Sequence, residues 1–329
     1  MKPYKFQPYL RPMIWGGNQI APFKGIVTEK TNIGESWEIS SEPGRETVTV
    51  ERGIMADADI GLTITQLIEK YKGLLVGERV YKKFGNKFPL LIKFIDSNQD
   101  LSVQVHPDDE LAMKRHGCFG KTEMWYVLKA EVGAKIYSGL KRSITPDDYE
   151  RLASTNPSNP LTPSSSNPFL DLIATHEAHS GDLYFLPAGR LHAIGAGNFL
   201  VEIQESSDIT YRVYDFGRLD AQGKPRELHI QQAKEAIDYQ AWPEYRTSYD
   251  TTKLNSELIR CPYFTVNRLI VNEAAEVDLH TDSFVVAVCL SGEANLNGVH
   301  VKQGETLLVP ASENVLYIFG NATFLTATV

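Results

Sequence analysis

The chain has 329 residues, 42% of them hydrophobic, enough to close one large core or two ordinary ones. Forty-one acidic against 33 basic residues give a net charge of -8 at pH 7, which argues against a nucleic-acid surface and means that any anionic ligand needs a local basic pocket. No run approaches the ~18 apolar residues of a membrane span, no N-terminal apolar segment resembles a signal peptide, and Cys118, Cys261 and Cys289 are too scattered for a disulfide framework, so a soluble cytoplasmic protein is expected.

Short runs rich in Val, Ile and Tyr predict strands at Thr47–Val50, Pro89–Ile95, Leu101–Val105, Met124–Leu128, Ala134–Tyr137, Asp182–Leu186 and Phe199–Ile203. Their turn-separated spacing reads as antiparallel β-structure, a sandwich or barrel. Helices are fewer: Thr63–Tyr71, Thr145–Ala153 with Pro146 and two aspartates in its first turn, and Leu228–Ala236. Between Ser154 and Pro168 the sequence STNPSNPLTPSSSNP cannot support a core and is expected to be an exposed loop.

GDLYFLPAGRLHAI from Gly181 and GETLLVPASENVLYI from Gly304 are related at a constant offset of 123, which aligns Pro187 with Pro310 and His192 with Val315. The chain therefore reads as two related β-barrels, the second stripped of its polar pocket. At the matching place it offers VDLHTD with His280 alone, so one metal site is expected, in the first barrel.

Gln104 and His106 of LSVQVHPDDELA share one strand face, because side chains alternate with period two, and Pro107 ends the strand. Asp108 and Asp109 are left to face solvent or cap a turn. Glu123 precedes an apolar strand in GKTEMWYVL, and His192 follows one in LPAGRLHAIG. Two imidazoles, a carboxylate and an amide oxygen suit Zn²⁺ with a position open for substrate or water. On residues alone the same four are as readily structural, and His116, His176, His179, His229 and His300 are read as structural or surface residues.

With those motifs assembled, the sequence resembles the type I phosphomannose isomerases of the short bacterial class, zinc enzymes of the cupin superfamily. The resemblance runs through YLRPMIWGG, IGESWEIS, FPLLIKFID, LSVQVHPDDELA, GKTEMWYVL, GDLYFLPAGRLHAIG and VEIQESSDITYRVYDFGR. It implies a mainly β chain of two cupin-type barrels or jelly rolls with a few added helices. Residues 1–240 would form the catalytic unit, with a helical and loop insertion around 141–171, and residues 241–329 a degenerate unit without metal. It further implies isomerisation of mannose 6-phosphate and fructose 6-phosphate by proton transfer through an enediolate, with one Zn²⁺ per chain. The partner is then a small sugar phosphate, not nucleic acid or membrane, and the chain a monomer or homodimer.

Carried over by motif, the metal ligands are Gln104, His106, Glu123 and His192, the catalytic arginine is Arg212, and Lys121 matches the active-site lysine. The histidine that precedes this lysine in longer relatives is Gly120 here, and the tyrosine two residues after the last histidine ligand is Ile194.

An arginine is not a base at neutral pH, so Arg212 is assigned to stabilising the enediolate, the alternative being an ion pair with Asp208 or Asp215. Lys121, whose pKa a desolvated pocket would lower, and Glu202 both remain candidates for moving the proton. Lys93, Lys121 and Arg218 are candidate phosphate partners, with solvated surface charge the alternative for each. Asp208 is a candidate sugar contact, and Trp15, with Glu35, Trp37 and Glu38, is read either as a sugar wall or, for the tryptophans, as barrel packing. An iron cupin oxygenase using His106, Glu123 and His192, or a non-catalytic sugar-phosphate binder, are the competing readings.

Overall fold

The computed structural model describes residues 1–51, 58–154, 168–220, 222–279 and 282–329. His280 and nearly all of the Ser154–Pro168 stretch lie outside these. Within them the chain is mainly β, in three antiparallel sheets of nine, six and five strands with a few short helices. No helix among the described residues is long and apolar enough to cross a membrane.

The six-stranded sheet runs in the order Leu183–Leu186, Glu123–Ala130, Asn198–Glu205, Leu90–Ser97, Tyr9–Gly17, Ile33–Ile39. The five-stranded sheet runs Tyr211–Tyr214, Val103–Val105, His192–Ile194, Lys135–Leu140, Ile173–Glu177. One core joins them: Ile95, Trp125, Val127 and Leu200 from the first sheet pack with Ile136 and Ile194 from the second. The expected strands thus form with small shifts at their ends.

The nine-stranded sheet explains the unbroken apolar run VVAVCL. In the strand Val285–Leu296, Val285, Ala287 and Cys289 enter a core built from residues 269–324, while Val286, Val288 and Leu290 enter a second core shared with Tyr4, Leu90 and Ile203. Burial on both faces removes the polar alternation that a one-sided strand would show. This sheet also takes in the start of the chain: Tyr4–Gln7 pairs with Thr306–Val309, Tyr4 opposite Leu308, so residues on either side of position 240 share a sheet.

The internal repeat is structural. Leu183–Leu186 and Thr306–Val309 are strands, each entered through a left-handed glycine, Gly181 at φ 89° and Gly304 at φ 80°. His192 and Val315 both begin the strand that follows.

Helices sit where the caps allow. Thr63 Oγ1 accepts from the Gln66 amide while Gln66 Oε1 accepts from that of Thr63, a reciprocal cap that starts Ile64–Tyr71 and points Ile64, Leu67 and Ile68 into the core. Pro146–Ser154 and Ile230–Ala236 also form. The helix Asp109–His116 was not expected: Asp108, read as facing solvent or capping a turn, accepts the Leu111 amide at 2.9 Å and caps this helix.

Candidate metal centre and substrate cavity

Strand register gathers the chemistry. His192 lies opposite Gln104, and Gln104 opposite Arg212, in the five-stranded sheet. In the six-stranded sheet Glu202 lies between Lys93 and Trp125, and Gln204 lies opposite Glu123. Opposed residues of antiparallel strands leave the same face, so each sheet presents its polar set to the space between them.

His106, Glu123 and His192 meet there, fully buried, with ligand atoms all within 4.8 Å of one another. His192 Nε2 is 3.2 Å from Glu123 Oε1, and His106 Nε2 is 3.6 Å from Oε2. Each ring's Nδ1 faces a carbonyl, Ile209 at 2.7 Å for His106 and Arg190 at 2.8 Å for His192. Only an Nδ1–H can make those bonds, which leaves the Nε2 lone pairs directed at one point.

His106 Nε2 and Glu123 Oε1 are buried without a hydrogen bond, and Glu123 Oε2 has the Lys121 ammonium as its charged neighbour. Two orphaned polar atoms in one place, beside a second imidazole, are costly unless a cation takes them up, so the donor set fits a divalent metal. Burial, then the Lys121 charge, push both histidines toward the neutral form that ligates, His192 to about 3. Burial and the neighbouring Glu202 charge raise Glu123 to about 7 against the pull of Lys121, whose Nζ is 2.9 Å from Oε2.

Gln104 reaches this centre through its amide, Nε2 lying 3.4 Å from His192 Nε2. An amide donates its N–H to a bare imidazole and offers oxygen to a metal, so Gln104 would ligate only with its amide turned over.

Beside the centre is a cavity of about 270 Å³, lined by Arg11, Trp15, Glu35, Lys93, Gln104, Lys121, Glu202, Asp208, Arg212 and Arg226 among others. Five cations and three carboxylates line it, an excess of two positive charges in a chain of net charge -8. This is the local basic pocket that composition demanded.

Its ions are mostly paired. Lys93 and Glu202, each 4% exposed, lie 3.0 Å apart, so Lys93 is not a solvated surface charge. Glu202 spends its other oxygen on Trp125 Nε1 at 2.8 Å. Burial alone would raise Glu202, but Lys93 and Lys121 hold it down to about 2. Glu35 accepts from Arg11 at 2.8 Å and from Trp37 Nε1 at 2.7 Å.

Asp208 pairs with Arg45 at 2.5 Å, and Asp215 with Arg226, so neither alternative ion pair for Arg212 forms. Arg218 is not among the residues that line the cavity, and its guanidinium donates to the Asp100 carbonyl.

The family model described as phosphomannose isomerase type I, catalytic domain, matches residues 4–133. Mannose-6-phosphate isomerase ManA of Bacillus subtilis is 32% identical over 317 residues, covering 94% of this chain and 93% of that protein. This chain belongs to the type I phosphomannose isomerase family. Mannose-6-phosphate isomerase of Streptococcus mutans is likewise 32% identical, over 332 residues and 94% of this chain. The crystal structure of the mannose 6-phosphate isomerase from Bacillus subtilis superposes with a TM-score of 0.86 at 27% identity over the whole of both chains.

The glycine at position 120 has a steric basis here. A Cβ on Gly120 would lie 2.5 Å from the Asp108 carbonyl carbon and 2.6 Å from the Asp109 nitrogen, so no side chain fits. Ile194 occupies the cavity wall without a polar group.

Sequence reading missed Arg11 and Arg226. Arg11 was within reach, because Arg11, Met13 and Trp15 alternate along one strand and all three line the cavity. Trp15 is both wall and packing: it lines the cavity while only 3% exposed in the shared core.

Proposed function

We propose that this chain interconverts mannose 6-phosphate and fructose 6-phosphate, using one Zn²⁺ held by His106, Glu123 and His192, with Gln104 as a fourth ligand. The observation that carries the reading is a buried His106, Glu123, His192 set, with His106 Nε2 and Glu123 Oε1 lacking a hydrogen-bond partner, whose neighbours Gln104 and Lys121 line a cavity with an excess of two positive charges. Zn²⁺ there supplies Lewis-acid polarisation of the sugar oxygens, worth several kcal/mol of barrier.

The chain's own residues do the rest. Trp15, Glu35 and Asp208 bound the sugar, and Arg212 stabilises the enediolate charge as the proton passes between C1 and C2. Of the two candidate proton carriers, Lys121 keeps an amine beside both the cavity and Glu123. Glu202 has both oxygens engaged by Lys93 and Trp125 and acts as an anchor for Lys93.

The same three donors suit ferrous iron. The cation excess favours a phosphorylated substrate over an oxygenase reaction.

Zinc-loaded protein incubated with mannose 6-phosphate should yield fructose 6-phosphate, and metal-replete protein with no turnover would overturn the reading. Arg212→Ala separates enzyme from sensor: the rate collapses with metal retained if Arg212 is catalytic, whereas a sensor loses only affinity.

A further inference from the structure

Arg226 lines the cavity from outside both sheets, immediately after the Leu219–Pro225 bridge. Between Asp215 and this bridge the chain turns through two consecutive left-handed residues, Phe216 at φ 54° and Gly217 at φ 68°. That conformation is unfavourable for an aromatic residue and persists only where the surroundings enforce it. Here Phe216 packs on Tyr214 and Tyr137, with ring centroids 4.9 and 6.3 Å away.

The turn brings Asp215 back onto Arg226. Nε donates to Oδ2 at 2.7 Å and Nη2 to Oδ1 at 2.5 Å. This bidentate pair fixes the guanidinium plane and uses one edge, leaving Nη1 without a hydrogen bond among the described residues. Arg212, beside it, donates Nη1 to the carbonyl of Glu227 at 2.9 Å, while its Nε is buried with no partner and no carboxylate lies in ion-pair reach among the described residues.

These two guanidinium groups thus line the cavity, Arg226 paired with Asp215 and Arg212 with no carboxylate in ion-pair reach among the described residues. Planar, pre-oriented forks of this kind match the oxygens of a phosphate better than a lysine point charge does.

We propose that Arg226, oriented by Asp215, acts with Arg212 as the fork that grips the substrate's phosphate and discriminates phosphorylated from free sugar. The assignment rests on the sugar-phosphate reading above, and it replaces Arg218 with Arg226 as the residue facing the anion.

The test uses metal-loaded Arg226→Gln, Arg226→Lys and Asp215→Asn with metal content checked in each. For R226Q the KM for mannose 6-phosphate should rise about tenfold or more while kcat stays within about threefold, a loss of ground-state binding. Inhibition by inorganic phosphate should weaken by a similar factor. R226K, which keeps the charge and loses the fork, should recover only part of the affinity, and it carries the test if R226Q does not fold.

Calorimetric binding of inorganic phosphate reads the fork without turnover. Phosphate affinity lost in R226Q of a protein that does not isomerise the sugar would sink the isomerase reading and keep the fork. Unchanged KM and phosphate affinity in folded R226Q would overturn the fork, as would a fall in kcat alone.

Discussion

Asp109 and Glu205 grip one short loop from two sides: Asp109 Oδ1 accepts the Gly120 amide and Glu205 Oε2 that of Thr122, each at 2.8 Å. Lys121 lies between them, its own amide bonded to the Pro107 carbonyl at 3.1 Å. The lysine that borders the metal centre is therefore placed by two carboxyl groups that never reach the cavity.

Burial, with the nearby Asp109 carboxyl, raises Glu205 to about 8. In the unfolded chain a glutamate titrates near ~4.3, so between those values the folded state holds a proton the unfolded state has lost. The stability this proton confers is complete below the unfolded value and is lost as pH rises through about 8. Glu205→Gln keeps an acceptor for Thr122 and removes the titration. Denaturation at about pH 5 and pH 9 should show a wild-type loss on the order of a few kcal/mol, largely absent from E205Q. Equal pH dependence in both proteins would refute it.

Gly120→Ala places a methyl group against backbone, which cannot yield as a flexible side chain would. Overpacking of this kind costs about 1–3 kcal/mol, and relief by shifting the loop would carry Lys121 with it. A lower unfolding temperature together with a reduced kcat is expected. Wild-type values for both would show that the loop has room that the geometry denies.

Filling the metal centre should stabilise the fold, because it satisfies His106 Nε2 and Glu123 Oε1, two buried atoms that otherwise have no hydrogen-bond partner. Adding Zn²⁺ to chelator-treated protein should raise the unfolding temperature, with a metal content of one per chain. His106→Ala, Glu123→Ala and His192→Ala should each abolish both the shift and the binding. Gln104→Ala, lacking the weakest donor, should reduce affinity and leave stoichiometry intact. A wild-type shift in H106A would place the ion elsewhere.

Period two disclosed that Gln104 and His106 share a strand face, while Glu123, His192, Lys121 and Arg212 were reached through the motifs that carry the resemblance; the fold brings His106, Glu123 and His192 together with Gln104 beside them. The helix Asp109–His116 escaped because DELAMKRH buries only Ala112 and has almost no apolar face; its markers were confined to its ends, Asp108 and Gly117 as caps with acidic residues in the first turn and basic ones in the last. Arg226 escaped because a turn through left-handed Phe216 and Gly217 carries no periodicity. The pairing of Tyr4–Gln7 with Thr306–Val309 is a contact across nearly the whole chain, which local pattern cannot reveal.

Lys93 and Glu202, 109 residues apart, show the same limit, since each reads alone as a surface or substrate-facing charge. Together they are a buried pair, with Lys93 5.2 Å over the Trp37 ring and Glu202 bound to Trp125. Glu202, held down to about 2, contributes stability present above its unfolded value and lost only as pH falls through about 2, so the pair is pH-insensitive in the neutral range. Lys93→Met leaves a buried carboxylate unpaired and should cost about 3–5 kcal/mol, and Glu202→Met should do similarly to the ammonium. The double variant removes both charges, so its cost in urea denaturation should fall short of the summed singles by about 1–3 kcal/mol. Strict additivity would mean that the two groups do not hold each other.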